Sequence, residues 1–239
     1  MAGALLEVEG LTKRFGGFTA VNRLTLHVKP GERFGLIGPN GSGKTTLINC
    51  ISGALAPDGG RILFEGVDIT TVAAHRRTRL GIVRTFQIPK PFSSMTVLEN
   101  LHIPLEYAAN ARSHNADAEA AEILRAIGLD AKAHLRPAGL TQIEMRKLEL
   151  ARAMAARPKL LISDEAMAGL SSAEVDDILA ILFRLSERGI TIIMIEHIMR
   201  AVMRFSERIV VLDAGERIAE GTPEEIVRNP AVEKAYLGE

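Results

Sequence analysis

The run GPNGSGKT at residues 38–45 has the residue types and spacing to hold a phosphate group. It satisfies the phosphate-binding pattern G-x-x-x-x-G-K-[ST] in full. Gly38, Gly41 and Gly43, with Pro39, Asn40 and Ser42 among them, allow positive φ and close approach of backbone to an anion. The amide N–H groups of such a loop converge as an anion nest at a helix N-terminus. Lys44 places a point charge near the β- and γ-phosphates. Thr45 offers a hydroxyl to Mg²⁺ and Thr46 another to phosphate. The bland alternative is a chance glycine turn, and context decides against it: a strand pattern precedes the loop and a helical pattern follows.

A second candidate is LLISDE at residues 160–165, an apolar strand that delivers Asp164 and Glu165 at its carboxyl end. Ligands sit at that end of strands in open α/β sheets. Asp164 would hold Mg²⁺ through water, and Glu165 would polarise an attacking water as general base. Taken alone, an acidic pair after a strand also reads as a solvated turn; beside a phosphate loop it acquires these roles. Gln87 follows GIVRTF and His197 follows ITIIMIE. By itself each is a satisfied polar group at a strand end.

The elements that must position these residues alternate in type. LLEVEGL reads as a strand, and NRLTLHV, KPGE and RFGLIG read as strand, turn and strand. KTTLINCISGAL is helical, PDGG stops it, and RILFEGVDI is a further strand or hairpin. From about residue 89 the character changes to Ala-rich helix, with Ile123, Leu124 and Ile127 at helical spacing. KLLISDE restores the strand pattern, SSAEVDDILAILFRLSERG is an amphipathic helix, and ITIIMIEH is a second buried strand. RIVVLDAGERIAEG reads as a hairpin. TPEEIVRNP opens a helix with Thr222 as N-cap, Pro223 at its first position and Glu225 as capping-box partner. The expected fold is α/β: a P-loop core (residues 1–88 and 156–239) with an antiparallel β subdomain and an inserted α-helical subdomain (about 89–155), forming one domain over 1–239.

Composition narrows the function classes. With 239 residues and 47% hydrophobic content the chain can bury a sizeable core. Lys plus Arg (29) balance Asp plus Glu (29), which argues against a nucleic-acid partner. The single cysteine, Cys50, excludes an intrachain disulfide and fits a reducing compartment; its type reads as a small buried apolar residue before it reads as a reactive thiol. No signal-peptide pattern opens the chain, and no apolar run approaches the ~18 residues of a membrane span. The chain is expected to be soluble by itself and cytoplasmic, with the membrane reached only through a partner.

The order of GPNGSGKTT, Gln87, the helix RKLELARAM, LLISDE and IEH, with Phe15 upstream, resembles the ATP-binding subunit of an ABC transporter over nearly the whole chain. RFGGFTAVN, GIVRTFQ, MTVLENL, IEHIM and the tail GTPEEIVRNPAVEKAYLGE resemble the branched-chain amino-acid uptake group. The resemblance implies ATP and Mg²⁺ as cofactors, with Thr45, Gln87 and Asp164 at the metal. It implies that Phe15 stacks on adenine, with Phe18 near enough to compete, and that His197 contacts the γ-phosphate. Gln87 would touch Mg²⁺ and the water and sense the membrane subunit. Two permease subunits would dock on the helical subdomain, an extracytoplasmic solute-binding protein would act indirectly, and the chain would lie peripherally on the inner face of the plasma membrane.

One stretch departs from the family. Where it usually reads L-S-G-G-Q, or L-S-x-G-Q in this group, the chain has Leu140, Thr141, Gln142, Ile143 and Glu144. In the family this segment caps the ATP held by the other subunit of a head-to-tail dimer. Ile143 stands where a glycine permits close approach, and a β-branched residue disfavours positive φ. Glu144 puts negative charge near a polyanion unless it turns away and caps the helix; it lies three residues after Thr141, at capping-box spacing. Ala166 replaces a common proline, and AGLS ends in Ser171 where Asp or Asn is usual. These departures favour a heterodimer whose partner ATPase carries the better signature. Three readings follow: an ATPase powering import of branched-chain amino acids or a related small polar solute; an ATP-dependent structural or regulatory partner with weak hydrolysis; and an ABC ATPase acting on nucleic acid or the ribosome, which the absence of a basic surplus disfavours.

Overall fold

The computed structural model describes residues 3–86, 89–108 and 116–237. The chain begins with a long antiparallel hairpin, β1 (Leu6–Phe15) and β2 (Phe18–Val28), followed by β3 (Arg33–Ile37) and helix α1 (Lys44–Ser52). A second hairpin, β4 (Gly59–Phe64) and β5 (Val67–Asp68), joins the first in a four-stranded sheet of order β2-β1-β4-β5. Helix α2 (Ala74–Leu80) leads into β6 (Ile82–Arg84). Then come α3 (Glu99–Tyr107), α4 (Ala116–Ile127) and α5 (Gln142–Ala155), which contact one another and interrupt the α/β alternation. It resumes with β7 (Leu160–Asp164), α6 (Ser172–Glu187), β8 (Thr191–Ile195), α7 (Met199–Phe205), β9 (Arg208–Asp213) and β10 (Glu216–Gly221), and ends with α8 (Pro223–Val227) and α9 (Pro230–Leu237).

The second sheet has the order β10-β9-β3-β8-β7-β6. Its pairs are parallel except β9 with β10, so the carboxyl ends of β3, β6, β7 and β8 share one edge. Both faces are covered, which is why LLIS and TIIMI are continuous apolar runs rather than alternating ones. Alternate residues of one strand serve different cores: Ile192 and Met194 join the cluster built with α3 to α7, while Ile193 and Ile195 join the one built with α1 and the antiparallel sheet.

The expected fold class is therefore present, and the chain shows what local pattern could not. Helix α2 has no signature in the sequence, because AHRRTRL lacks an apolar period; its buried member is Arg77, whose guanidinium donates to the Cys50 and Ile51 carbonyls at the end of α1 (2.7 and 2.8 Å). Helices α7 and α9 likewise lie beyond the sequence expectations. The capping box expected at Thr222 and Glu225 is formed.

Candidate active site

Strand β3 ends at Ile37 and the chain turns through residues 38–43 into α1. Gly43, the N-cap, has φ of 100°, and a Cβ there would drive into the Ala20 carbonyl oxygen; at Gly38 a Cβ would strike Leu212 O. Only glycine permits this path. No side chain caps α1 and no acid stands in its first turn, so its leading amides face the cleft without an internal acceptor. The β9–β10 turn braces the loop through Gly215 N–H to Ser42 O (3.1 Å).

Lys44 is buried, and its Nζ donates to Gly38 O (2.7 Å), Pro39 O (2.9 Å) and Ser42 Oγ (3.3 Å). Burial pushes its pKa below the usual lysine value, against the pull of Glu165 and Asp164. An ammonium lying on the loop's own carbonyls has an obvious exchange partner in a phosphate. Thr45 and Thr46 lie in the first turn of α1. Phe15 and Phe18 pair across the β1–β2 turn, both exposed at the mouth of the site. Together with Asn40, Gly41, Ser42, Gly43, Thr45, Thr46, Glu165 and His197 they enclose a cleft of about 260 Å³.

Asp164 ends the fully buried β7 and accepts from Arg84 Nη2 (2.6 Å) and Nε (3.2 Å). Arg84 also donates to Asn49 Oδ1 on α1 (2.6 Å) and lies over the Phe86 ring. Glu165 adopts a left-handed backbone, φ 48°, while its N–H bonds Ile195 O (2.9 Å). A non-glycine residue there persists only where its surroundings over-determine it, and such strain gathers at functional positions. Its Oε1 lies 3.0 Å from His197 Nε2. Two residues from different strands, each uninformative alone, are thus one hydrogen-bonded pair. Gln87 lies outside the described residues.

The residues at 141–144 are organised differently. Thr141 caps α5: its Oγ1 accepts from Glu144 N–H (3.4 Å), and Glu144 Oε2 accepts from Thr141 N–H (2.8 Å). Lys132 Nζ adds a bond to Glu144 Oε2 (2.7 Å). Lys132 first, and Thr141 N–H after it, hold the Glu144 carboxyl below its ordinary pKa. Glu144 thus serves its own helix. Ile143 packs against the larger core, and Gln142 lies beside Gly169. Ser171 caps α6 in a box with Glu174.

Sequence reasoning missed Arg84, Glu196 and Lys132. A charge inside the short buried strand IVR, and another at the end of TIIMIE, are the signals that were available.

A glycine-lined anion cradle at a helix N-terminus, facing an acidic strand end in a sheet with an α-helical insert, defines a P-loop nucleotide-binding cassette. The ABC transporter family profile matches residues 21–168, and that of the branched-chain amino acid ATP-binding cassette transporters matches 216–239. The chain is 42% identical to the high-affinity branched-chain amino acid transport ATP-binding protein BraF of Pseudomonas aeruginosa and 40% identical to LivG of Escherichia coli, each covering 100% of both chains. A nucleotide-free ATP-binding cassette from an ABC transporter superposes with a TM-score of 0.89 at 34% identity, covering 99% of this chain and 100% of the other. The chain belongs to the ABC transporter family of ATPases, in its branched-chain amino acid group. Full-length likeness to transport ATP-binding proteins does not support the reading as a weakly hydrolysing regulatory partner.

Proposed function

We propose that the chain hydrolyses ATP to drive uptake of branched-chain amino acids, or a related small polar solute, through a membrane permease. The observation that carries this is the cleft that gathers Lys44, the α1 amides, Glu165 and His197, together with relatives named for that transport. The cradle at Gly38 and Gly43, which side chains would fill, and the cationic Lys44 fit a nucleoside triphosphate. Thr45 and Asp164 would hold Mg²⁺, with Gln87 completing the set by resemblance. Such an ion takes much of its shell from phosphates and water.

When bound, ATP–Mg²⁺ supplies the electrophilic γ-phosphorus and neutralises developing charge. Lys44 and the loop amides bind the phosphates. Glu165 accepts a hydrogen bond from the water and orients it, while His197 fixes the carboxylate. Positioning and electrostatics carry most of such a reaction. Phe15 or Phe18 provides the face for adenine.

Among the described residues no helix is long and apolar enough to cross a membrane. The reading therefore requires docking, as a peripheral subunit on the inner face of the plasma membrane. An apolar cleft of about 430 Å³ between α1, α2 and β6 on one side and α3 and α5 on the other, lined by Phe86, Ile103, Pro104 and Tyr107, suits a permease segment. It lies within and beside the proposed helical subdomain, about 89–155. An extracytoplasmic solute-binding protein would deliver cargo. The self-capped Thr141–Glu144 segment favours a heterodimer with a second ATPase chain. Solution mass of Glu165→Gln with and without Mg-ATP tests this: a monomer that retains ATP supports it, and an ATP-dependent homodimer overturns it.

A further inference from the structure

Glu196 is 3% exposed, directly precedes His197 at the end of β8, and has no role in the chemistry above. Its Oε1 accepts the Met167 N–H at 2.9 Å, in the loop that follows Glu165 from the neighbouring strand β7. Glu165 N–H bonds Ile195 O, one residue before Glu196. In the same loop, Ala168 O accepts from Arg146 Nη2 of α5 (3.2 Å). The charged groups that act on Glu196 are Glu165, Asp164 and Arg146. Burial, reinforced by Glu165, pushes its carboxyl up to about 7 against the lowering effect of the Met167 N–H.

A carboxyl group in this position is costly, since an apolar side chain would fill the space without desolvating a charge. What only an oxygen acceptor does here is hold the Met167 amide. That amide lies two residues beyond the left-handed Glu165, whose backbone needs restraint from both sides. We propose that Glu196 is a positioning residue: by holding Met167 N–H it fixes the turn that aims Glu165 into the nucleotide cleft, while Arg146 ties the same turn to α5. The pair formed by Glu165 and His197 is then set by a buried anchor adjacent to His197 in sequence and adjacent to Glu165 in space.

This rests on the reading of Glu165 as the water-orienting carboxylate, so the experiment separates the two. Full-length Glu196→Gln, Glu196→Ala, Glu196→Leu and Glu165→Gln are compared for ATP hydrolysis in the assembled transporter, with its permease and partner ATPase chain, and as isolated chains for affinity for a fluorescent ATP analogue and melting temperature. Gln offers an amide oxygen to Met167 and is expected to keep kcat within about threefold. Ala and Leu remove the acceptor and are expected to lower kcat on the order of 10²-fold, the cost of misplacing a reacting group. KM for ATP should stay near its original value, because the phosphate cradle is untouched. Leu fills the space while removing the acceptor, so it carries the test should Ala fail to fold. The proposal is overturned if Ala or Leu keeps kcat near that of the parent, if Gln falls as far as they do, or if KM rises as kcat falls. Persistent hydrolysis by Glu165→Gln removes the role of Glu165 itself, whatever the Glu196 series shows.

Discussion

The N-termini of α1 and α5 present the same unsatisfied amides and the same partial positive charge, and they dispose of them in opposite ways. At α1 the cap is a left-handed glycine, with no side-chain cap and no acid in the first turn. At α5 Thr141 and Glu144 bond reciprocally, and Lys132 compensates the carboxylate. One helix leaves its field for an external anion, while the other brings an anion of its own. The missing glycines of residues 140–144 therefore do not leave a disordered helix start. They leave one that is complete without a nucleotide.

The contrast can be broken most severely at α1. Lys44→Ala is expected to lower ATP hydrolysis by about 10²–10³-fold and to weaken nucleotide binding, as loss of one charge-stabilising donor does elsewhere; steady-state rates and analogue titration check this. Glu165→Gln should cost about 10²-fold or more in rate, the usual contribution of a general base, while ATP binding persists. The two variants thus separate the cradle from the chemistry.

At α5 the effects are smaller. Glu144→Gln keeps the capping-box bond and loses only the charge facing Lys132 and the helix N-terminus, so it is expected to lower stability by about 0.3–1 kcal/mol near neutral pH. The Glu144 carboxyl is held below its unfolded pKa, so its contribution is present above that value and lost as pH falls through the folded one. The difference in melting temperature between parent and variant should therefore vanish in acid. Glu196 has the opposite sign. Its pKa is raised to about 7, so ionisation destabilises the fold as pH rises from the ordinary carboxylate range through 7. Glu196→Gln should melt a few degrees higher than the parent at pH 8 and alike near pH 4. Equal shifts at both pH values would remove burial as the cause. The smallest effect sharpens the comparison directly: Ile143→Gly with Glu144→Gln makes α5 more like α1, and should promote ATP-dependent association of the Glu165→Gln chain.

Much of this was legible in the sequence, because it is local. The phosphate loop, the strand ends carrying Asp164, Glu165 and His197, and the capping boxes at Thr141 and Thr222 all depend on residues a few positions apart. What was illegible is the set of partners brought in from a distance. Arg84 reaches Asp164 across 80 positions, and Glu196 reaches Met167 across 29. Helix α2 escaped for a related reason: Arg77 is buried because its guanidinium has the carbonyls at the end of α1 to satisfy, and apolar periodicity carries no trace of that.

By itself, then, the sequence determined which backbone segments can cradle phosphate and which helices cap themselves, since those choices are settled by φ preferences and short-range hydrogen bonds. It took the assembled sheet to bring Glu165 to His197, Arg84 to Asp164 and Glu196 to the Met167 N–H. Parallel strands bring the ends of β6, β7 and β8 to one edge, and the side chains there satisfy one another only after the sheet has formed.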